Sequence, residues 1–147
     1  MKKFSFSLSS VKEYKDSLLE NLKLEHAAIM LKIREQEKAI ARLIEKKDLL
    51  KVELNQKNAI GIAPFELVNY QRYIKVLQND IEVEHNKLKK LHIKEAEKKE
   101  EVIEMKKETA SYEKLEEKKL EEYNFLARKS HEQFIEEFVS NKRYAKR

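Results

Sequence analysis

Residues 57–77 read KNAIGIAPFELVNYQRYIKVL and hold Gly61 and Pro64, the only glycine and the only proline of a 147-residue chain. On either side the sequence is rich in Lys, Glu, Leu and Ile. A chain so favourable to helix, interrupted in one place, is expected to bend there. Gly61 suits the residue just past a helix end, where φ is often positive and a Cβ would be strained. Pro64 suits the first turn of the next helix, where its missing N–H has no partner to lose. The stretch predicts one helix over about 10–58, a turn over about 59–64, a second and longer helix over about 65–140, and a basic tail over 141–147, all in a single domain.

Composition agrees with an all-α chain. Charged residues make up 40% and hydrophobic residues 41%, with no Trp and no Cys. Few glycines and prolines with abundant, regularly spaced aliphatics fit long helices or coiled coil rather than disorder. Without cysteine there is no disulfide framework and no thiolate chemistry. No apolar run approaches the roughly 18 residues of a membrane span, and the start, MKKFSFSLSSVKEY, lacks the apolar centre of a signal peptide. The net charge of +5 is interleaved along the chain. Its one cluster is Lys142, Arg143, Lys146 and Arg147. Binding a phosphate backbone calls for a basic stripe, so no nucleic-acid partner is expected, and a basic nucleic-acid-binding hairpin is a minor alternative.

Heptads carry the fold. In the second segment, alternating steps of three and four run through Leu67, Tyr70, Ile74, Leu77, Ile81, Glu84, Leu88, Leu91, Glu95, Lys98, Val102, Met105, Thr109, Tyr112, Glu116, Lys119, Tyr123 and Leu126, with the apolar pattern weakening between Glu95 and Lys99 and again around Glu116. The first segment, capped by Ser9 or Ser10, is expected to follow Val11, Lys15, Leu18, Leu22, Glu25, Ile29, Lys32, Gln36, Ile40, Leu43, Lys47, Leu50 and Leu54, with a break in the alternation between Gln36 and Ile40. Folded back on itself, the chain matches positions whose numbers add to 123 or 124. Leu54 meets Tyr70, Leu43 meets Ile81, Leu18 meets Met105, and Glu25 meets Lys98, while Ile29 faces Glu95 and Ile40 faces Glu84. A kinked parallel dimer does not require that match. The expected fold is two long helices in an antiparallel coiled-coil hairpin, with the second helix unpartnered beyond about Tyr112.

Catalytic motifs are missing. There is no GxxxxGK[ST], GxSxG or HExxH, and one glycine cannot build a phosphate-cradling loop. No catalytic, cofactor or metal residues are expected, and the chain reads as no enzyme. His85 and His92, seven apart with Glu82 and Glu95 nearby, read as exposed histidines of a Lys/Glu-rich surface rather than metal ligands. The aromatics ask for more explanation. Phe4 and Phe6 precede the first helix. Phe65, Tyr70 and Tyr73 gather at the bend, and Tyr112, Tyr123, Phe125, Phe134, Phe138 and Tyr144 mark the far end. Tyr70 and Tyr112 fall on the seam. Tyr73 lies one position off it, so it is a candidate partner anchor. From these residues alone the chain is a helical hairpin with sticky ends, and a generic coiled-coil spacer or scaffold is the alternative to a dedicated function.

GIAPFELVNYQRYIKVLQNDIEVEHN, residues 61–86, resembles the bend of the FliJ family of flagellar type III export stalk proteins. That bend has Gly-Ile, then Asn-Tyr-Gln, an aromatic, Ile, and Leu four residues after the aromatic, matched here by Asn69-Tyr70-Gln71, Tyr73, Ile74 and Leu77. FSFSLSSVKEY is similar to the family's Phe-x-Phe-x-Leu lead into its first helix. KLEEKKLEEYNFLARKSHEQFIEEF is similar to its Leu-x-Glu-Arg/Lys region and Gln, Asp/Glu-Glu close. The resemblance implies a cytoplasmic coiled coil, peripheral to the inner membrane, that inserts into and stimulates a hexameric export ATPase. It also implies contact with the export gate's cytoplasmic platform, an ATPase regulator and export chaperones. Carried over by position, Phe65, Tyr73 and Leu77 would face the gate, where Asp80 and Glu84 replace a small residue and a histidine of some members. Leu8, Val11, Leu115, Gln133 and Glu137 would face the ATPase ring.

Overall fold

The structure, a computed structural model, describes residues 2–146. It has two helices, α1 (Ser9–Ile60) and α2 (Pro64–Ala145), and no strand among the described residues. They form an antiparallel hairpin in which α2 is the longer. Gly61 takes φ 113° and its N–H donates to the Lys57 carbonyl at 2.9 Å, closing α1 with a left-handed cap. Pro64 is the first residue of α2, and the Ala63 carbonyl accepts the first bond of that helix from Leu67 at 3.1 Å. Glu66 in the first turn of α2 and Lys57 in the last turn of α1 have the signs that suit the helix dipoles. At the start of α1 the cap is not a serine: the Leu8 carbonyl accepts from Lys12 at 2.9 Å, and Ser9 is already helical. α2 runs past the expected end near 140, so Lys142 and Arg143 lie in its last turn. Arg147 of the expected tail lies outside the described residues.

The chain divides into two compact units, Leu22–Glu101 and the pairing of Met1–Asn21 with Val102–Arg147. In Leu22–Glu101 the helices meet along Ile33, Ile40, Leu77 and Ile81, all buried. Polar cross-helix pairs mark the register. Lys98 Nζ lies 2.8 Å from Glu25 Oε2, and the Tyr70 hydroxyl donates to Glu53 at 3.0 Å; the residue numbers of both pairs add to 123. Lys47 donates to Gln78. In the other unit Val102 and Thr109 are buried, and Lys15 Nζ lies 2.9 Å from Glu108, again adding to 123. No large side chain is wholly enclosed among the described residues, because a two-helix seam leaves both flanks to solvent.

On α2 each seam position expected from Leu67 to Glu116 is buried or half-buried, while Lys119 and Leu126 are exposed. α1 differs at three points. Lys12 takes the place expected of Val11, His26 that of Glu25, and Ile33 that of Lys32. The alternation is therefore intact through His26, Ile29, Ile33, Gln36, Ile40 and Leu43, with no break after Gln36. The irregularity sits before His26: Lys12, Lys15 and Leu18 make two steps of three in succession, and Leu18, Leu22 and His26 two steps of four, which locally overwind and then unwind a supercoil. Glu84 and Glu95, expected opposite Ile40 and Ile29, each also reach a polar side chain about one turn earlier on α1. Gln36 Nε2 donates to the Glu84 carboxylate and, at 3.0 Å, to the Glu84 carbonyl. His26 Nε2 lies 2.9 Å from Glu95 Oε1. Among the described residues no buried side-chain polar atom lacks a partner.

Candidate partner-binding surfaces

The bend presents Phe65 and Tyr73. Phe65 stands in the first turn of α2 and is 76% exposed. Tyr73 is 42% exposed, and Lys46 Nζ sits 5.5 Å from its ring centroid. Leu50, Asn69, Tyr70 and Tyr73 line a shallow groove there. Tyr70 is half-buried, hydrogen-bonded to Glu53, with Lys57 Nζ 5.0 Å from its ring. Leu77 does not share the surface with Tyr73. It is only 3% exposed, because its heptad position points into the seam beside Ile81. Asp80 is exposed and Glu84 half-buried on Gln36.

The second surface lies in the unit that holds both chain ends. Residues 2–8, which lack helical periodicity, return along α2. Phe4 and Tyr123 stack with centroids 5.5 Å apart, the Tyr123 hydroxyl donates to the Lys2 carbonyl at 2.5 Å, and Phe6 is buried. Lys12 adds an ion pair to Glu116 at 2.5 Å. Cover therefore extends well past Tyr112, contrary to the expected overhang, and the unmatched part of α2 begins near Arg128. From there to the last described residue every side chain is exposed, Phe134 by 65% and Phe138 by 60%, with Ile135 and Val139 beside them. Of the residues expected to face the ring, Leu8 and Leu115 are half-buried, and Val11, Gln133 and Glu137 are exposed. Composition pointed to the aromatics here. Only the structure distinguishes Phe4, Phe6 and Tyr123, which pack on one another's surroundings, from Phe134 and Phe138, which have no cover.

Electrostatics adds no reactive centre. Hydrogen bonds from Gln36 and then Lys87 hold the Glu84 carboxyl below the usual glutamate range. The Glu25 and Glu101 carboxylates hold Lys98 above the usual lysine range. His85 and His92 are exposed, and Glu95 turns to His26 instead. Among the described residues no group of three or more His, Cys, Asp or Glu is placed to hold a metal ion. No helix of the described residues is long and apolar enough to cross a membrane.

A family model described as flagellar FliJ protein matches residues 4–147. Comparison with curated proteins and with solved structures gives no match.

Proposed function

Because this chain belongs to the FliJ family of flagellar proteins, we propose that it is a non-enzymatic stalk of the flagellar type III export apparatus. In this reading its far end inserts into the hexameric export ATPase and stimulates it, and its bend links the ATPase to the cytoplasmic platform of the export gate. It works in the cytoplasm, peripheral to the inner membrane, and also meets the ATPase regulator and export chaperones. The observation that carries the reading is the uncovered end of α2, where Phe134, Ile135, Phe138 and Val139 are all exposed. Apolar side chains left open over nearly two helical turns mark a surface that a partner covers. Gln133 and Glu137 flank that stripe as polar contacts, and Leu8, Val11 and Leu115 extend the contact toward the start of α1. At the bend, Phe65 and Tyr73 are the gate contacts, while Leu77 acts from within the seam by holding α2 in register.

The test is a chain ended after Ala127. It retains the stretch of α2 that residues 2–21 cover, so its melting transition should match the full chain. It should lose most of its stimulation of the organism's own export ATPase. Full stimulation by the shortened chain would mean that the ring contact lies elsewhere.

A further inference from the structure

The seam is not the only heptad series on α1. A second runs through Ala27, Leu31, Arg34, Lys38, Ala41, Glu45, Asp48 and Val52 in alternating steps of four and three, and all eight are exposed. At 3.6 residues per turn it lies roughly 150° around the helix from the seam. Leu31 is 57% and Val52 53% exposed, and a groove lined by Ala41, Ile44, Glu45, Asp48, Leu49 and Val52 follows the stripe. Its charges are sorted by sign. Arg34 and Lys38 are four apart and both basic; Glu45 and Asp48 are three apart and both acidic. Like charges at these spacings repel. Elsewhere on the helices ion pairs form between opposite charges one turn apart, as in Glu53 with Lys57, Lys98 with Glu101 and Glu104 with Lys107; here Glu37, Glu35, Arg42 and Lys51 stand one turn from Arg34, Lys38, Glu45 and Asp48. Among the described residues none of Arg34, Lys38, Glu45 and Asp48 forms an ion pair within the chain.

We propose that this outer face of α1 binds a second copy of the same chain, antiparallel, about a twofold axis at Ala41. In that register the numbers of facing residues add to 82 or 83. Arg34 meets Asp48, Lys38 meets Glu45, and Leu31 meets Val52, each pair occurring twice because a twofold contact is reciprocal. Ala41 meets itself, and its small side chain lets the helices approach. A parallel pairing would set Lys38 against Lys38 and Glu45 against Glu45, so the charges fix the polarity as well as the register. The inference stands on α1 alone and does not depend on the proposed export role.

Sedimentation equilibrium of the full chain tests it. The expected result is a reversible monomer–dimer equilibrium that salt weakens, since the paired charges are at the surface. Lys38→Glu and Glu45→Lys should each raise the dissociation constant at least about tenfold, because each brings like charges face to face twice. An equimolar mixture of the two variants should recover the dimer, which a misfolded chain could not do. The chain has no cysteine, so Ala41→Cys should oxidise to a linked dimer, whereas Val52→Cys, which faces Leu31, should not. A wild-type chain that stays monomeric up to about 1 mM would overturn the proposal. So would a dimer indifferent to both charge reversals, or Val52→Cys linking as readily as Ala41→Cys.

Discussion

Tyr70 and Tyr73 sit three residues apart on α2 and do different things. Tyr70 closes the seam next to the bend, with its hydroxyl on Glu53 and its ring under Lys57. Truncating it removes half-buried ring area, a cup for a lysine and a hydrogen bond. Tyr70→Ala should cost about 2 kcal/mol, or a melting point lower by about 6 °C for a chain of this size. Tyr73 is 42% exposed, off the seam, and its contact with Lys46 is worth at most about 1 kcal/mol at an exposed site, so Tyr73→Ala should lower the melting point less than Tyr70→Ala. In the proposed gate complex it should weaken binding about 30-fold, the equivalent of about 2 kcal/mol for an interfacial aromatic anchor. Circular dichroism melts and gate-fragment titrations on both variants check the pair; Tyr73→Ala binding at parental strength would remove it from the gate contact. The contrast was legible in the sequence, since one tyrosine is a heptad position and the other is one place off it. For Leu77 the heptad and the family likeness pointed to different surroundings. Leu77 is four residues from Tyr73 and so close on the helix, but the nearer face of α1 decides which of the two is covered, and that depends on residues far away in sequence.

α2 was readable along its length because its heptads never slip. α1 was not, because steps of three and of four are both available at Leu22 and Ile29. Forward counting accepts Glu25 and Lys32 as readily as His26 and Ile33. Only α2, laid alongside, selects the second set, and a seam histidine facing Glu95 gives no apolar signal to count. The two registers differ in a measurable way. Ile33 is 5% exposed, so Ile33→Ala should cost about 2–4 kcal/mol, while Lys32→Ala should stay within about 0.5 kcal/mol. Urea unfolding of both variants separates them, and equal midpoints would contradict the observed register. The polar layer at Gln36 and Glu84 adds a pH dependence. The folded carboxyl of Glu84 has a lowered pKa, so its contribution is present above the unfolded glutamate pKa and is lost as pH falls through the folded value. Melting temperature should therefore fall on the acid side, below the ordinary glutamate range. Glu84→Gln keeps an acceptor for Gln36 but cannot titrate, and should flatten that limb; an unchanged acid profile would mean that other carboxylates set it. Lys98, whose pKa is raised, stabilises below the unfolded lysine pKa and loses that contribution only as pH rises through its folded value, beyond the window of the Glu84 test.

Across the whole molecule, cover is uneven. The bend and the two-helix fold follow from one glycine, one proline and the heptads on either side. The extent of cover does not, because Phe4 and Phe6 lie in a stretch with no helical period and nothing in it names Tyr123 as a partner. With residues 2–8 laid along α2, the helix loses its neighbours only near Arg128. Arg128–Ala145 then relies on its own hydrogen bonds, and isolated helices of that length are marginal in water. Local opening there needs little free energy, whereas opening around Ile33, Ile40, Leu77 and Ile81 must expose the buried seam. Amide hydrogen exchange on the free chain should therefore be fastest in Arg128–Ala145 and slowest in the stretches around those four residues. If the export ATPase covers the apolar stripe of this end, adding it should slow exchange across Phe134–Val139 and leave the stretch around Ile33 and Ile40 unchanged. Slow exchange of Arg128–Ala145 in the free chain would mean that the segment has a partner within the chain or in a second copy. Exchange there that is unaltered by the ATPase would remove this end of α2 from the ring contact.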